Sequence, residues 1–269
     1  MLMPVYNERA TIEEAIRQVL DAALPVDGLE LIVVDDGSTD GTREILLERS
    51  WPAEVRVVLH ERNGGKGAAV RTGLAQARGR FTTIMDADLE YDPANLAALL
   101  GPLVHESAEA VYGVRGFASH SAYSFWYVMG NKLVSLAANV LYNSWLSDIM
   151  TCHKVIDTAT FCALPLRENG FAIEPEITAG LLLAGVRIYE VPVSYQARSR
   201  EEGKKLTTID GARVLRTLAR CRLTGPRKAR AASAIRRRRP GRFRRGQRRP
   251  AAAPVEASNR LDPVDRSSA

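Results

Sequence analysis

The chain of 269 residues is 46% hydrophobic and 25% charged, which is enough apolar content for one large or two small domains with a core and excludes disorder throughout. Its net charge of +6 is unevenly placed, because residues 227–250 hold a dense block of arginines while the preceding part is near balance. The three cysteines are scattered without CxxC spacing, which argues against a zinc site or a disulfide scaffold and suits a reducing compartment.

Strand-like and helix-like segments alternate along the first part of the chain. Runs rich in Val, Ile, Tyr or Thr predict strands at 29–36, 54–60, 80–86, 108–115 and 186–195, after a very short strand that precedes Pro4. Helices are predicted at 11–22, 40–49, 67–77 and 93–104. This alternation predicts an α/β fold with a mostly parallel sheet flanked by helices.

The other segments differ in composition from this alternating part. Residues 118–147 are apolar and aromatic, and they predict either a helical pair that covers the sheet or a helix that dips Phe125, Trp126 and Trp145 into a membrane interface. No run reaches the ~18 apolar residues of a membrane span, so we do not expect the chain to cross a membrane by itself. Residues 223–269 are rich in Arg, Ala and Pro and predict a disordered tail.

Polar clusters follow four successive predicted strands: "PVYNE" (4–8), "DDGSTDGT" (35–42), "ERNGGKGAA" (61–69) and "DADLEYD" (86–92). Because ligands bind at the carboxyl ends of such strands, we expect these loops to form one site. A carboxylate at Asp35 suits hydrogen bonding to a base or ribose, whereas a simple strand–turn–helix connection would not explain two acids at a strand end. The glycines around Lys66 predict a close-packed loop near an anionic ligand, without the spacing of an ATP-type P-loop.

The fourth loop places carboxylates at alternate positions, Asp86, Asp88, Glu90 and Asp92. On a strand this spacing aims the side chains to one face, where they repel one another unless a cation joins them. Mg²⁺ and Mn²⁺ take few carboxylates and complete their shell with diphosphate oxygens, so the loop predicts a metal site for a nucleotide diphosphate. Asp92 precedes Pro93 and is better explained as the cap of the next helix.

Together these four loops look like glycosyltransferase family 2. The segments "DIMTCHKV" (148–155), "GFAIEPEITAGLLLAGVRIYEVPVSYQAR" (170–198) and "EEGKKL" (201–206) resemble its dolichyl-phosphate mannose or glucose synthase-like branch. The resemblance implies one catalytic domain at 1–222 with the GT-A fold, built on a Rossmann-like mixed sheet. It also implies an inverting enzyme that moves a hexose from a UDP- or GDP-sugar to a polyprenyl phosphate with the help of Mg²⁺ or Mn²⁺.

The resemblance also implies roles for individual residues. Those expected around the nucleotide are Pro4, Tyr6, Glu8, Val33 and Asp35; those around diphosphate and metal are Asp86, Ala87, Asp88 and Glu90; the cations expected at the donor sugar or acceptor phosphate are Arg115, Arg198 and Lys205. Asp88 is the first choice for the metal ligand. Glu90 stands where the mannose synthases usually have glutamine, which leaves the sugar donor open.

Two alternatives remain beside this interpretation. A family 2 enzyme with a saccharide hydroxyl acceptor needs a general base, usually in an "ED" motif near "QxxRW", and neither motif occurs here. A nucleic-acid-binding arm would explain the arginine block, but the block lacks the interleaved aromatic residues that stack on bases. We therefore expect a cytoplasmic enzyme that lies peripherally at the inner face of the membrane, with a membrane-anchoring subunit left open.

Overall fold

A computed structural model of the protein describes residues 1–105, 108–115, 125–196 and 208–225. Seven strands and eight helices lie in these ranges. The strands are β1 Leu2–Val5, β2 Leu31–Asp35, β3 Val55–Leu59, β4 Phe81–Thr83, β5 Ala110–Arg115, β6 Lys154–Asp157 and β7 Ile188–Val193. The helices are α1 Ile12–Asp21, α2 Thr42–Glu48, α3 Lys66–Leu74, α4 Asn95–His105, α5 Phe125–Tyr142, α6 Thr158–Cys162, α7 Ile173–Ala184 and α8 Thr208–Thr224.

The strands form two sheets that meet at one seam. Strands β1, β2 and β3 make a parallel sheet in the order β1-β2-β3, and the second sheet has the order β4-β6-β5-β7. A parallel bridge between Leu2 and Ile84 joins them, so the strands run β3-β2-β1-β4-β6-β5-β7 across the molecule. Because only β6 is antiparallel to its neighbours, the predicted α/β fold with a mostly parallel mixed sheet is confirmed.

Alternating side chains of the central strands pack on opposite faces of the sheet. Met3 and Val33 belong to one apolar cluster, which α1 and α4 cover. Leu2 and Ile32 belong to a second cluster, which α3 and α7 cover. This burial on both faces is why β2 is apolar from Leu31 to Val34 instead of alternating with polar residues.

The sequence interpretation missed three features of the second half. Strand β6 is only four residues long, so its apolar pattern is too brief to be recognised. The described part of segment 118–147 holds the single helix α5 instead of a helical pair, and α5 packs against α7 and α8 through a third apolar cluster. Helix α8 extends to Thr224, two residues past the expected end of the domain at 222, while residues 226–269 of the expected tail lie outside the described ranges.

Candidate active site

A cavity of about 350 Å³ opens at the carboxyl ends of the strands near the seam between the two sheets. All four polar loops contribute to its wall, as expected from their positions after successive strands. The lining residues from these loops are Pro4, Val5, Tyr6, Glu8, Asp36, Asn63, Gly65, Lys66, Ala69, Asp86, Ala87, Asp88, Glu90 and Tyr91. Later parts of the chain add Arg115, Cys152, Glu174 and Tyr195, among others.

Asp36, at the end of β2, fastens the glycine-rich loop to the sheet. Its Oδ1 accepts a hydrogen bond from the Gly64 backbone N–H at 2.9 Å, and its Oδ2 accepts one from Gly65 at 2.7 Å. The Nδ1 atom of His60 lies 2.7 Å from the same Oδ1. Gly65 itself has a φ of +90°, and a Cβ there would lie 2.4 Å from the Asn169 carbonyl oxygen, so only glycine fits this turn.

The neighbouring acid, Asp35, forms hydrogen bonds within the protein and does not line the cavity. It is fully buried, its Oδ2 accepts a hydrogen bond from Arg43 Nε at 2.7 Å, and its Oδ1 accepts one from the Ser38 backbone N–H at 3.2 Å. Val33 is also fully buried and packs in the core. Neither side chain lines the cavity, so the structure does not support the expected contact of Val33 and Asp35 with base and ribose.

Lys66, the first residue of α3, holds a buried ionic cluster on the cavity wall. Its Nζ donates to Asp86 Oδ2 at 2.7 Å and to Cys152 Sγ at 3.0 Å, and it lies 3.2 Å from Glu174 Oε1. Burial alone would lower the pKa of Lys66, but the charges of Asp86 and its neighbours more than offset this and raise it well above its ordinary value. Lys66 is therefore a fixed cation at the base of the cavity.

The acidic segment after β4 is a turn, not the strand that the alternate spacing suggested. Leu89 has a φ of +60°, which turns the chain between Asp88 and Glu90. Both of these carboxylates still line the cavity, where Tyr195 donates its hydroxyl to Glu90 Oε2 at 2.6 Å. Asp92 is exposed, and its Oδ1 accepts a hydrogen bond from the Ala94 backbone N–H at 2.8 Å, so its separate role at the start of α4 is confirmed.

The carboxylates Asp86, Asp88 and Glu90 supply the hard oxygen ligands that Mg²⁺ and Mn²⁺ prefer. Within the described ranges, no group of three or more His, Cys, Asp or Glu side chains is arranged to hold a metal ion. Asp88 lines the cavity beside Asp86, whose Oδ2 is paired with Lys66. These residues fit a divalent ion held by one or two carboxylates and by the oxygens of a diphosphate, not a site made by protein alone.

Arg115, at the end of β5, lines the cavity, and its guanidinium is held in place by Asp148. Its Nε and Nη2 donate to the two oxygens of Asp148 at 2.6 and 2.9 Å, and its Cζ lies 5.1 Å from the centre of the Tyr195 ring. Although burial acts to raise the pKa of Asp148, the charge of Arg115 outweighs it and keeps the pKa below its ordinary value. The other two expected cations, Arg198 and Lys205, lie outside the described residues.

Two residues near the cavity were not assigned a role by the sequence. Glu174, in the first turn of α7, receives a hydrogen bond on Oε2 from the buried Lys154 Nζ at 2.5 Å, and its Oε1 is the oxygen that lies 3.2 Å from Lys66 Nζ. His153 is fully buried with neither ring nitrogen hydrogen-bonded to a described residue, and its ring centre lies 4.3 Å from that of Tyr91. Burial lowers the pKa of His153 to about 4, so its imidazole is neutral.

Comparison with known proteins identifies the family of this fold and site. The model of "Glycosyl transferase family 2" matches residues 1–162, more than half of the chain. The chain belongs to glycosyltransferase family 2. This family 2 chain is 29% identical over 224 residues to glycosyltransferase AglJ of Haloferax volcanii, a match that covers 82% of the chain and 70% of AglJ.

A second relative of this family 2 glycosyltransferase is much longer than the chain. It is 35% identical over 186 residues to the undecaprenyl-phosphate 4-deoxy-4-formamido-L-arabinose transferase of Pseudomonas aeruginosa, with 64% of the chain covered. The chain spans about half of that relative, 53% of its length.

Among solved structures, this family 2 glycosyltransferase is similar to glucosyl-3-phosphoglycerate synthase of Mycobacterium tuberculosis, which was crystallised with Mn²⁺, UDP and phosphoglyceric acid. The TM-score is 0.63 with 24% identity, and the match covers 84% of the chain and 78% of the synthase. Another crystal of the same synthase contains Mg²⁺ and UDP. The likeness confirms the expected GT-A fold.

Proposed function

We propose that the protein transfers a hexose from a UDP- or GDP-sugar to a polyprenyl phosphate at a membrane surface, with inversion at the anomeric carbon. The observation that carries this proposal is one cavity in which the acidic turn after β4 lies together with two held cations, Lys66 and Arg115. Such a site suits a reaction between two phosphate-bearing substrates, because it can hold a metal-bound diphosphate and also offset the charge of a second phosphate.

The donor end of the cavity is the part built from the first half of the chain. Pro4, Tyr6 and Glu8 form the wall expected for the nucleotide, and Asp36 holds the glycine-rich loop in place beside them. Asp88, with Asp86 and Glu90 nearby, would hold Mg²⁺ or Mn²⁺, which when bound neutralises charge on the departing nucleotide diphosphate. Lys66 is a permanent positive charge beside this metal site, because its Nζ donates a hydrogen bond to Asp86.

The acceptor end needs little chemistry from the protein. A phosphate monoester is already ionised near neutral pH, since its second pKa is about 6, so no strong general base has to remove a proton. Arg115 is positioned by Asp148 and Tyr195 to bind such a phosphate. Arg198 and Lys205 are proposed as further phosphate ligands on the resemblance alone, and positioning of the two substrates then supplies most of the rate acceleration.

One relative supports the same acceptor. The Pseudomonas aeruginosa relative is named for transfer to undecaprenyl phosphate, and it shares 35% identity with the chain over 186 residues. None of the helices in the described ranges has the length and apolar character needed to cross a membrane. We propose a peripheral enzyme at the inner face of the membrane, with attachment through its own surface or through a separate anchoring subunit.

A donor and acceptor screen tests this proposal. The full chain is incubated with radiolabelled UDP- and GDP-sugars, with either Mg²⁺ or Mn²⁺, and with one of three acceptors: polyprenyl phosphate in vesicles, an oligosaccharide, or phosphoglyceric acid. Thin-layer chromatography of the products is expected to show label in a lipid-linked product and in neither of the other two. Label found exclusively in the oligosaccharide would establish the alternative of a saccharide hydroxyl acceptor.

A further inference from the structure

The ring of His60, directly after β3, joins the end of β2 to helix α3. Its Nδ1 lies 2.7 Å from Asp36 Oδ1, and its Nε2 lies 2.9 Å from Thr72 Oγ1. Because an ionised carboxylate has no proton to donate, the Nδ1–H of the ring donates to Asp36, which leaves Nε2 of the neutral ring to accept from the Thr72 hydroxyl. The sequence interpretation gave this histidine no role, and His60 does not line the cavity.

The carboxylate that His60 contacts is the one that holds the glycine-rich loop. Oδ1 of Asp36 accepts from His60 and from the Gly64 N–H, and Oδ2 accepts from the Gly65 N–H. The carboxylate of an aspartate rotates easily about its last bond, and such a rotation would move both oxygens away from the two backbone donors. His60 opposes this rotation, because its ring is itself fixed at the other nitrogen by Thr72.

The backbone of His60 is held independently of its ring. Its N–H donates to the Asp35 carbonyl oxygen at 2.8 Å, and its own carbonyl oxygen accepts a hydrogen bond from the Arg43 guanidinium. Both contacts involve main-chain atoms of residue 60, so they do not depend on its side chain. A substitution at His60 therefore reports on the two contacts of the ring and not on a displaced strand end.

The ring acts on the start of α3, where Lys66 enters the cavity. The loop is attached a second time beyond its glycines, because the Asn169 carbonyl oxygen accepts from the Gly67 N–H at 2.6 Å and from the Ala68 N–H at 3.2 Å. Lys66 lies between the two attachments, with its Nζ 2.7 Å from Asp86 Oδ2. A loop released at its first attachment would hold Lys66 from one side only, and the ammonium group would then be less well placed for a ligand in the cavity.

We infer that His60 is a positioning residue, which acts through Asp36 to fix the glycine-rich loop so that Lys66 can bind the diphosphate of the donor. The inference rests on the proposed function, in which Lys66 lies beside that diphosphate. Since Lys66 would contact the diphosphate both before and during transfer, a loss of positioning should raise the Michaelis constant for the donor more than it lowers the turnover number.

Two substitutions separate the two contacts of the ring. The amide nitrogen of asparagine is bonded to Cγ, as Nδ1 of histidine is, so His60→Asn keeps a donor at Asp36 and loses the contact with Thr72. The amide of glutamine reaches further, to the place of Nε2, so His60→Gln keeps a contact with Thr72 and loses the donor at Asp36. If His60 acts through Asp36, His60→Asn should resemble the unsubstituted chain and His60→Gln should not.

The first measurement is hydrogen–deuterium exchange of the Gly64 and Gly65 amides by NMR, in the full chain without ligand. We expect His60→Gln to speed their exchange about tenfold, because the carboxylate that accepts from them is released, and His60→Asn to change it by less than about twofold. The control is His105→Gln at the exposed end of α4, which should leave this exchange as it is. Equal exchange in His60→Gln and the unsubstituted chain would overturn the inference, as would faster exchange in His60→Asn than in His60→Gln.

The second measurement is the affinity for UDP and for GDP in the presence of Mn²⁺, by isothermal titration calorimetry. His60→Gln is expected to bind the preferred nucleotide about tenfold more weakly, and His60→Asn and His105→Gln are expected to stay within about twofold of the unsubstituted chain. Urea unfolding of each variant measures its stability separately. A variant His60→Gln that loses stability but binds the nucleotide normally would show that the ring serves the fold alone, and the inference would be wrong.

Together the two measurements keep this inference distinct from the proposed function. If a nucleotide binds and the variants respond as expected, but no sugar reaches polyprenyl phosphate, the proposed function is wrong and the role of His60 stands. If neither nucleotide binds the unsubstituted chain, the proposed function is wrong, and the exchange of the Gly64 and Gly65 amides decides whether His60 positions the loop. If sugar is transferred and all variants share one Michaelis constant for the donor, the inference alone is wrong.

Discussion

Two strands of the sheet, β2 and β4, each lead to a pair of acids, and the chain uses the two pairs in different ways. At the end of β2, the carboxylate oxygens of Asp35 and Asp36 accept hydrogen bonds from the protein itself. The donors are Arg43 for Asp35 and the backbone N–H groups of the glycine-rich loop for Asp36. In the turn after β4, Asp86 and Asp88 both face the cavity, and Asp86 is balanced by Lys66. The first pair builds the wall of the site, and the second presents charge to a ligand.

This difference shows that acidity at a strand end does not identify a ligand-binding residue. A buried carboxylate is stable only when hydrogen bonds or an opposite charge replace water, and that replacement consumes the atoms that would contact a ligand. The residue that can bind is the one with acceptor capacity directed to a cavity. Three substitutions at these acids test whether the two strand ends divide their tasks in this way, and a fourth tests the buried His153.

Replacing Asp88 is expected to have the largest effect. Asp88→Ala should lower sugar transfer about a thousandfold while the free energy of unfolding stays nearly unchanged, because the side chain serves a ligand and not the core. Initial rates across a titration of Mn²⁺ measure the loss. Asp92→Ala, in the same loop, is the control and should keep near-normal activity; undiminished turnover by Asp88→Ala in the presence of a chelator would remove the metal from the mechanism.

Replacing Asp35 is expected to show the opposite pattern. Asp35→Ala should lower the free energy of unfolding by about 2–3 kcal/mol, because it leaves the partly buried Arg43 without its counter-charge. Urea unfolding measures the change, with the exposed Glu44→Ala of α2 as a control that should fall within about 0.5 kcal/mol of the unsubstituted chain. A stable Asp35→Ala protein with a raised Michaelis constant for the donor would instead favour the original assignment of Asp35 to the nucleotide.

The buried His153 makes the free energy of unfolding depend on pH. Its pKa is 6.5 in an unfolded chain and about 4 in the fold, so the unfolded state binds more protons and stability falls as pH drops through this window. At pH 5 this amounts to about 2 kcal/mol relative to pH 7.5. His153→Phe should therefore flatten the pH dependence of the unfolding free energy, measured by urea unfolding, between pH 7.5 and about 5. The control is His105→Gln at the exposed end of α4, which should leave that dependence as it is in the unsubstituted chain. Parallel curves for all three proteins would contradict the attribution of this pH dependence to His153.

Replacing Asp36 is expected to have the smallest effect, but on both stability and donor binding. Asp36→Asn presents an amide N–H₂ to the Gly64 or Gly65 N–H, which should cost about 1–2 kcal/mol of unfolding free energy. Because the same loop carries Lys66 into the cavity, the Michaelis constant for the donor should rise as well. A loss of stability with donor affinity unchanged would show that the loop tolerates displacement, and the division between the two strand ends would then be complete.

The sequence was sufficient for most of the fold because its signals are local. Strands β2, β3, β5 and β7 are recognisable from β-branched runs, and the loops that follow the strands converge because parallel strands end at one edge. The packing of α5 against α8 was missed, because the two helices are far apart in the chain and share no local pattern.

Within the site, the sequence identified the loops better than the atoms. Strand β2 is buried on both faces, so no alternation of polar and apolar residues indicates which of Asp35 and Asp36 faces the cavity. Beyond Asp86, Lys66 contacts Cys152, which comes 86 positions later in the chain, and Glu174. Such a contact depends on the tertiary arrangement of β6 beside β4, and β6 itself was too short to predict.

The unequal burial of the cysteines provides a practical means of labelling the protein at one position. Cys152 is held beside Asp86 with a pKa well above its ordinary value, and burial also raises the pKa of Cys221, so both thiols react slowly with alkylating reagents near neutral pH. Cys162, at the end of α6, is exposed and does not line the cavity. A maleimide fluorophore would therefore attach mainly at Cys162, where it can report the distance to a labelled vesicle without altering the cavity.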